Sequence, residues 1–331
     1  MRGASKLAAI VSALLVSVAL ARAPARAEPP RPATFSIVAA DPEAGEVGVA
    51  VASRFFAVGS VVPWARAGAG GIATQSNTNT TFGPRGLDLL ERGVAPQETL
   101  DVLLRSDPGR DGRQVGIVAM DGRSATYTGT GCTAWANGRA GPGYAVQGNI
   151  LAGEAVVIAL EKGFLETKGQ PLAERLLAAL VAGDAAGGDR RGHQSAALLV
   201  ARDRGGYNGF TDRAIDVRVD DHPDPIAEIT RLTRLAMVND SWNRGWTAYT
   251  GGQYADALRW QRQTVATATE RAPALLPEVL YDLAVILQAN GAGDEAVATL
   301  SRAFSLNPRL RDQALQDKDL ASLRGRIPRA P

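Results

Sequence analysis

The sequence predicts a layered α+β domain followed by a small all-helical module. In the first part, strand patterns occur in adjacent pairs, and pairs of helical patterns separate them. Adjacent strands favour antiparallel hairpins, and such hairpins form sheets that helices cover. From about residue 236 onward only helical patterns occur, and this change predicts the second part.

The first predicted element is a β-hairpin. The segments FSIVAAD (35–41) and VGVAVASRF (47–55) are rich in apolar and β-branched residues, and DPEAGE between them supplies turn chemistry. AGGIATQSN (69–77) is predicted to be a third strand. The same patterns predict helices at 84–93 and 96–107, strands at 114–121, 124–131 and 144–153, helices at 154–167 and 172–184, and strands at 194–203 and 214–221.

The C-terminal part contains two helical repeats. EVLYDLAVILQANGAGDEAVATLSRAFSLNPRL (278–310) matches the tetratricopeptide (TPR) template, and 245–268 carries a similar core. Residues 313–326 are predicted to form a capping helix. Two repeats and a cap are few for an independent solenoid, so we expect the module to dock on the first domain or on another chain. We therefore expect a protein partner or a homo-oligomer, and a structural appendage is the alternative.

The first 27 residues have the pattern of a secretory signal peptide. Basic residues precede a short apolar run, and two A-x-A sites follow, with cleavage predicted after Ala27. The apolar run is too short to favour a membrane span, so we expect an exported, periplasmic or secreted protein with no transmembrane segment in the mature chain. Loss of the leader's four basic residues leaves 32 basic against 34 acidic side chains, a formal charge of −2. This balance does not indicate nucleic-acid binding.

The sequence offers few of the usual hydrolase nucleophiles and bases. His193 and His222 lie in predicted loops, and Cys132 lies among turn-forming glycines, where a small apolar role is the simpler interpretation. A hydroxyl is a poor nucleophile unless a base takes its proton. A threonine at a chain terminus supplies its own base, because a free α-amine titrates near pH 8. Thr34 begins the first predicted strand and is therefore the candidate nucleophile.

Several long segments resemble a known family. They are TFSIVAADPEAGEVGVAVASRFFAVGSVVPWARAGAGGIATQSN (34–77), FGPRGLDLLERG, YAVQGNILAG, GDAAGGDRRGHQSAALLV and DVRVDDHPDPIAEITRL. Together they resemble the family called domain of unknown function 1028, which is placed in the N-terminal-nucleophile (Ntn) hydrolase superfamily. The resemblance covers about residues 34–235. It implies a four-layer αββα sandwich and chemistry at an N-terminal nucleophile, but no substrate.

The first strands are also similar to those of a proteasome β-subunit, where a leading Thr, an Asp-Ser-Arg triplet and a lysine form the site. Thr34 matches the threonine, and Ser53 and Arg54 match the last two residues of the triplet. Ala52 stands in place of the aspartate, and Arg66 lies two residues before the lysine position. Arginine stays protonated, but it can lower the pKa of a nearby amine. These departures argue against a proteasome-like mechanism and leave an Ntn amidase of another style open.

Four further residues are candidates for the site. Gln75 and Asn77 lie in ATQSNTNT, and one of them, or a backbone N–H nearby, is the candidate donor to an oxyanion. Asp189 in GDAAGGDRRG is a candidate orienting carboxylate, and Asn149 is a candidate substrate-binding residue. Turn and cap chemistry is the alternative explanation for all four. Neither a metal nor a cofactor is predicted.

These observations divide the chain into a signal peptide (1–27), a short linker or propeptide (28–33), an Ntn-hydrolase-like domain (34–235) and a TPR-like helical domain (236–331). Cleavage after Ala27 would leave the amine of Thr34 blocked, so a catalytic Thr34 requires a second cut. The leading hypothesis is an exported Ntn-type hydrolase that cleaves an amide bond in a small-molecule or peptide substrate. The alternative is a non-catalytic envelope protein of the same fold that binds a ligand or a protein partner.

Overall fold

A computed structural model describes residues 34–327. The predicted signal peptide (1–27) and the predicted linker or propeptide (28–33) lie outside the described residues, so both remain predictions.

Two antiparallel sheets form the centre of the N-terminal part. Their strands are β1 (Thr34–Asp41), β2 (Glu46–Ser53), β3 (Pro63–Arg66), β4 (Gly70–Ser76), β5 (Arg113–Ala119), β6 (Ser124–Thr128), β7 (Asn137–Gly141), β8 (Tyr144–Asn149), β9 (Ser195–Arg202) and β10 (Arg213–Val219). The larger sheet has the order β10-β9-β2-β1-β8-β7, and the smaller sheet has the order β3-β4-β5-β6. The predicted first hairpin is thus β1 and β2, and β1 lies in the middle of the larger sheet.

Helices cover the outer faces of both sheets. They are α1 (Phe82–Glu91) and α2 (Pro96–Arg105) on the smaller sheet, and α3 (Glu154–Glu166) and α4 (Leu172–Ala185) on the larger one. Side chains alternate along each strand. Along β1, Val38 packs between the sheets while Ile37 packs under α3 and α4. The result is four layers in the order α, β, β, α, which confirms the predicted α+β fold class.

Strands β3 and β7 were not predicted from the sequence. Each lies at the edge of its sheet. β3 begins with Pro63 and is only partly buried, and β7 is the glycine-containing segment NGRAG with exposed residues. Edge strands of this composition lack the apolar alternation by which a strand is recognised.

Within residues 34–327, five α-helices follow the sandwich: α5 (Pro225–Thr250), α6 (Tyr254–Arg271), α7 (Leu276–Ala289), α8 (Gly293–Leu306) and α9 (Leu310–Gln316). Short turns join α5 to α6 and α7 to α8, with Gly252 and Gly291 at positive φ (73° and 76°), a conformation that favours glycine. The predicted boundary between residues 235 and 236 falls inside α5, which packs on β9 and β10 and also on α6. One helix therefore belongs to both parts.

No helix within residues 34–327 is both long and apolar enough to cross a membrane.

The helical module contains a buried carboxylate. Asp282 on α7 accepts hydrogen bonds from Trp242 Nε1 at 2.7 Å and from Trp246 Nε1 at 2.8 Å. Burial raises the pKa of Asp282 to about 6, although the two indole hydrogen bonds act in the opposite direction. The charges of Asp317 and Glu278 raise this pKa further.

Because the pKa of Asp282 is raised above the ordinary 3.8, its contribution to stability is complete below that value and is lost as the pH rises through about 6. We expect the free energy of unfolding of the wild type, relative to Asp282→Asn, to fall by about 2 kcal/mol between about pH 4 and about pH 7.5. Urea denaturation of both proteins across this range measures the difference. A difference that does not change with pH would contradict the prediction.

Candidate active site

Thr34 occupies the first position of the central strand β1. It pairs in register with Ser53 at the end of β2 and with Asn149 at the end of β8. Strand alternation directs Thr34 and Ser36 into the space between the two sheets, on the side where Val38 packs. The hydroxyl of Thr34 donates to Ser53 Oγ at 3.3 Å, and Thr34 is 1% exposed.

Directly behind Thr34, the two sheets are joined by buried side-chain amides. Gln75 Nε2 on β4 donates to the backbone oxygen of Thr34 at 3.3 Å and to Gln114 Oε1 on β5 at 2.8 Å. Asn149 Nδ2 donates to the same Gln114 oxygen at 3.0 Å, and Gln114 Nε2 donates to the backbone oxygen of Gly148 at 2.8 Å. These amides are essentially unexposed. Their partners matter because burying a polar group without a hydrogen bond is costly.

A fourth amide, that of Gln147 on β8, extends the network along β1. Ser36 Oγ donates to Gln75 Oε1 at 2.7 Å and accepts from Gln147 Nε2 at 2.6 Å. Gly116 on β5 provides the room, because a Cβ at that position would lie 2.0 Å from Gln147 Oε1. The polar network therefore depends on a glycine in the opposite sheet.

A cavity of about 320 Å³ opens beside Thr34. One wall is the loop between β2 and β3, which is apolar, and the other is the loop between β4 and α1, which is polar. The lining residues are Thr34, Phe55, Val58, Val61, Val62, Ser76, Asn77, Thr78, Thr80 and Arg113. Its size lies at the lower end of the range for small-molecule sites.

Strained backbone surrounds this end of the sandwich. Ser76 closes β4 with φ 66°, Ile150 follows β8 with φ 51°, and Ala57 in the β2–β3 loop has φ 53°. Positive φ is unfavourable for residues with a side chain, above all for a β-branched isoleucine. Such strain concentrates at functional sites. Its position beside Thr34 supports the assignment of this region as the candidate site.

Arg113 supplies the positive charge of the cavity. Its guanidinium forms an ion pair with Asp107, Nε to Oδ2 at 2.8 Å, and its Nη1 donates to the backbone oxygen of Asn77. The hydrogen bond from Arg113 holds the pKa of Asp107 below its usual range. Cys132 donates its thiol to the backbone oxygen of Arg113 at 3.3 Å, and burial raises the pKa of this thiol, which disfavours a nucleophilic thiolate.

Asp189 binds the backbone of Arg54, the residue that follows Ser53. Its Oδ2 accepts from the backbone N–H of Arg54 at 2.7 Å, and its Oδ1 accepts from the backbone N–H of Arg191 at 2.8 Å. The side chain of Arg191 also pairs with this carboxylate at 3.0 Å. The buried Asp189 thus ties the end of β2 to the loop after α4.

Arg66 lies away from the other predicted residues. It pairs in register with Gly70, at the opposite end of β4 from Ser76 and hence about 20 Å along the strand. Its guanidinium forms ion pairs with Asp88 at 3.0 Å and with Glu91 at 2.8 Å on α1.

Of the predicted site residues, Thr34 and Asn77 line the cavity. Ser53, Gln75 and Asn149 contact Thr34 or pair with it, and Arg54 and Asp189 lie next to Ser53. Arg113, Asp107 and Gln114 were not predicted from the sequence. For Arg113 and Gln114 the sequence did offer a signal, because these two polar residues stand at the start of an otherwise apolar strand.

We expect Gln114→Met, a change that conserves side-chain volume, to lower the free energy of unfolding by about 2 to 3 kcal/mol. The reason is that Gln75, Asn149 and the Gly148 carbonyl would each lose a buried partner. Gln97→Met on the exposed surface of α2 is the matched control and should change stability by less than about 0.5 kcal/mol. Chemical denaturation measures both, and equal effects would contradict the assigned role of Gln114.

Comparison with known proteins identifies the family. The family of unknown function DUF1028 matches residues 34–229, which include both sheets and helices α1 to α4. Among solved structures, the crystal structure of protein SPO2555 from Silicibacter pomeroyi, also assigned to DUF1028, is 30% identical, with a TM-score of 0.56, over 62% of this chain and 89% of that one. No curated protein matches the sequence. The resemblance to DUF1028 is confirmed, and the chain belongs to the DUF1028 family.

Proposed function

We propose that this protein is an exported hydrolase of the N-terminal-nucleophile type, which cleaves an amide bond with Thr34 as the nucleophile. The observation that carries the proposal is the position of Thr34. Its hydroxyl lies at the start of the central strand, between the two sheets, and borders a cavity large enough for a small substrate group. Ser53 holds this hydroxyl by a hydrogen bond at 3.3 Å.

In the proposed reaction, the free α-amine of Thr34 accepts the hydroxyl proton while Oγ1 attacks the amide carbonyl carbon. The C–N bond then breaks, and the α-ammonium returns its proton to the leaving amine. A water molecule hydrolyses the resulting ester, which releases a carboxylic acid and restores the threonine hydroxyl. The reaction requires no oxidant, reductant or further reactant.

Asn77 is the better of the two predicted donors to the oxyanion. Both amide hydrogens of Gln75 are engaged, one with Thr34 and one with Gln114. Asn77 lines the cavity, and its side-chain amide has no hydrogen-bond partner within the described residues. A donor that binds only the developing negative charge lowers the barrier without binding the ground state more tightly.

The proposal requires that the amine of Thr34 be freed. We propose export by the leader 1–27 with cleavage after Ala27, followed by removal of 28–33. The helical module is proposed to be a surface for a protein partner or for another copy of the chain.

A second candidate function is binding without catalysis. A cavity of about 300 Å³ lies where the sandwich meets α5 and α6, and Ile215, Met237 and Trp260 contribute to its lining. Such a cavity suits a small ligand. This alternative predicts a chain that begins at Glu28 and a function that does not depend on Thr34.

The proposed nucleophile is tested by N-terminal sequencing and intact mass of the mature protein, followed by hydrolysis of an amide panel. We expect a chain that begins at Thr34, and we expect Thr34→Ala to lower hydrolysis by about a thousandfold or more with the fold unchanged. Thr34→Ser should keep measurable activity, and Thr269→Ala on the exposed surface of α6 is the control. Full activity in Thr34→Ala would refute the assignment.

For Asn77, we expect Asn77→Ala to lower kcat about 100-fold with little change in KM, because the amide would act only on the transition state. Steady-state kinetics separates the two parameters. An increase in KM alone would instead make Asn77 a residue that binds substrate in the ground state.

A further inference from the structure

The positive charge in the cavity beside Thr34 is neutralised by Asp107, a carboxylate that does not line the cavity. Among the described residues, Arg113 is the only charged side chain in its lining, and no carboxylate lines it. Both carboxylate oxygens of Asp107 bind the guanidinium of Arg113, Oδ2 to Nε at 2.8 Å and Oδ1 to Nη2 at 3.2 Å. The charge of Arg113 is therefore balanced within the protein.

The Asp107–Arg113 pair is itself held in place. Asp107 is 6% exposed and also accepts from Asn79 Nδ2 at 3.1 Å and from the backbone N–H of Gly109 at 2.9 Å. The third nitrogen of Arg113 donates to the backbone oxygen of Asn77. A substrate carboxylate would have to compete with this buried, bidentate pair, and a substrate ammonium would find no carboxylate in the cavity.

The rest of the lining suits a group with an apolar body. Val58 and Val62 are each 1% exposed and form one wall, while Thr78 and Thr80 contribute to the polar wall opposite. A volume of about 320 Å³ admits a short acyl group or one amino-acid residue.

We propose that this cavity binds the acyl group of the substrate, that the preferred acyl group is short and uncharged, and that Asp107 determines this preference by neutralising Arg113. The inference rests on the proposed function, because only an acyl-transfer reaction at Thr34 makes this cavity the acyl site. Asp107 acts through Arg113 and is a specificity-determining residue.

Three coumarin amides of matched length test the preference: butyryl (uncharged), succinyl (acidic) and 4-aminobutyryl (basic). For the mature wild type we expect kcat/KM for the butyryl amide to exceed both others by about tenfold or more. In Asp107→Asn, Arg113 loses its partner, so the ratio of succinyl to butyryl hydrolysis should rise about tenfold, while the 4-aminobutyryl amide gains nothing. Equal hydrolysis of all three amides, or an unchanged ratio in the variant, would overturn the inference.

A second variant covers the case in which Asp107→Asn does not fold. Thr80 is exposed at the cavity, so Thr80→Lys introduces an unbalanced cation without disturbing the core. We expect the ratio of succinyl to butyryl hydrolysis to rise by the same factor in Thr80→Lys. An unchanged ratio would count against the inference.

Binding separates this inference from the proposed function. NMR titration of Thr34→Ala with butyramide, succinamate and 4-aminobutyramide should show the tightest binding for butyramide. That result with no hydrolysis by the wild type would refute the hydrolase proposal and leave the charge preference standing. If hydrolysis depends on Thr34 but proceeds equally with all three amides, the charge preference is refuted and the hydrolase proposal stands.

Discussion

Gln114 is buried between the two sheets, and the geometry around Thr34 depends on the hydrogen bonds of its side-chain amide. Its oxygen accepts from Gln75 on β4 and from Asn149 on β8. Its nitrogen donates to the backbone oxygen of Gly148 on β8. A buried amide must keep its partners, so the two sheets can pack in only a narrow range of positions. Thr34 pairs with Asn149 and is held by Gln75, and it is therefore positioned by the same network.

The space between the sheets is divided along the strands. Towards the far end of β1 it is filled by apolar side chains such as Val38, Val49 and Val118, whose burial stabilises the sandwich. Towards Thr34 it is filled by amides and hydroxyls. Burial of the apolar half stabilises the sandwich but does not fix how the sheets are placed on each other. The polar half fixes this placement, because hydrogen bonds require defined angles and distances.

The helical module is anchored at the end of the sandwich away from Thr34. Arg202 at the end of β9 forms ion pairs with Glu46 at 2.7 Å and with Asp240 on α5 at 2.6 Å. Glu46 begins β2 and is seven residues, about 23 Å, from Ser53. Among the described residues, none from α5 to α9 lines the cavity beside Thr34. A partner on the helices and a substrate at Thr34 would occupy separate surfaces.

The sequence alone determined the elements that arise from local patterns. The β1–β2 hairpin, the helix pairs and the start of β1 at Thr34 follow from apolar periodicity and turn residues. Ser53 was predicted in the site from the resemblance to a proteasome β-subunit, and the register of the β1–β2 hairpin pairs it with Thr34. The edge strands β3 and β7 could not be predicted, since their residues are only partly apolar and their pairing is supplied by neighbouring strands.

Only the tertiary structure decided which polar side chains meet. It brought Arg113 to the cavity and balanced its charge with Asp107, and it left Arg66 with Asp88 and Glu91 at the opposite end of the sheet. It also engaged both amide hydrogens of Gln75 within the sandwich. These partners are set by the packing of one sheet on the other, a contact between distant segments that no local periodicity encodes.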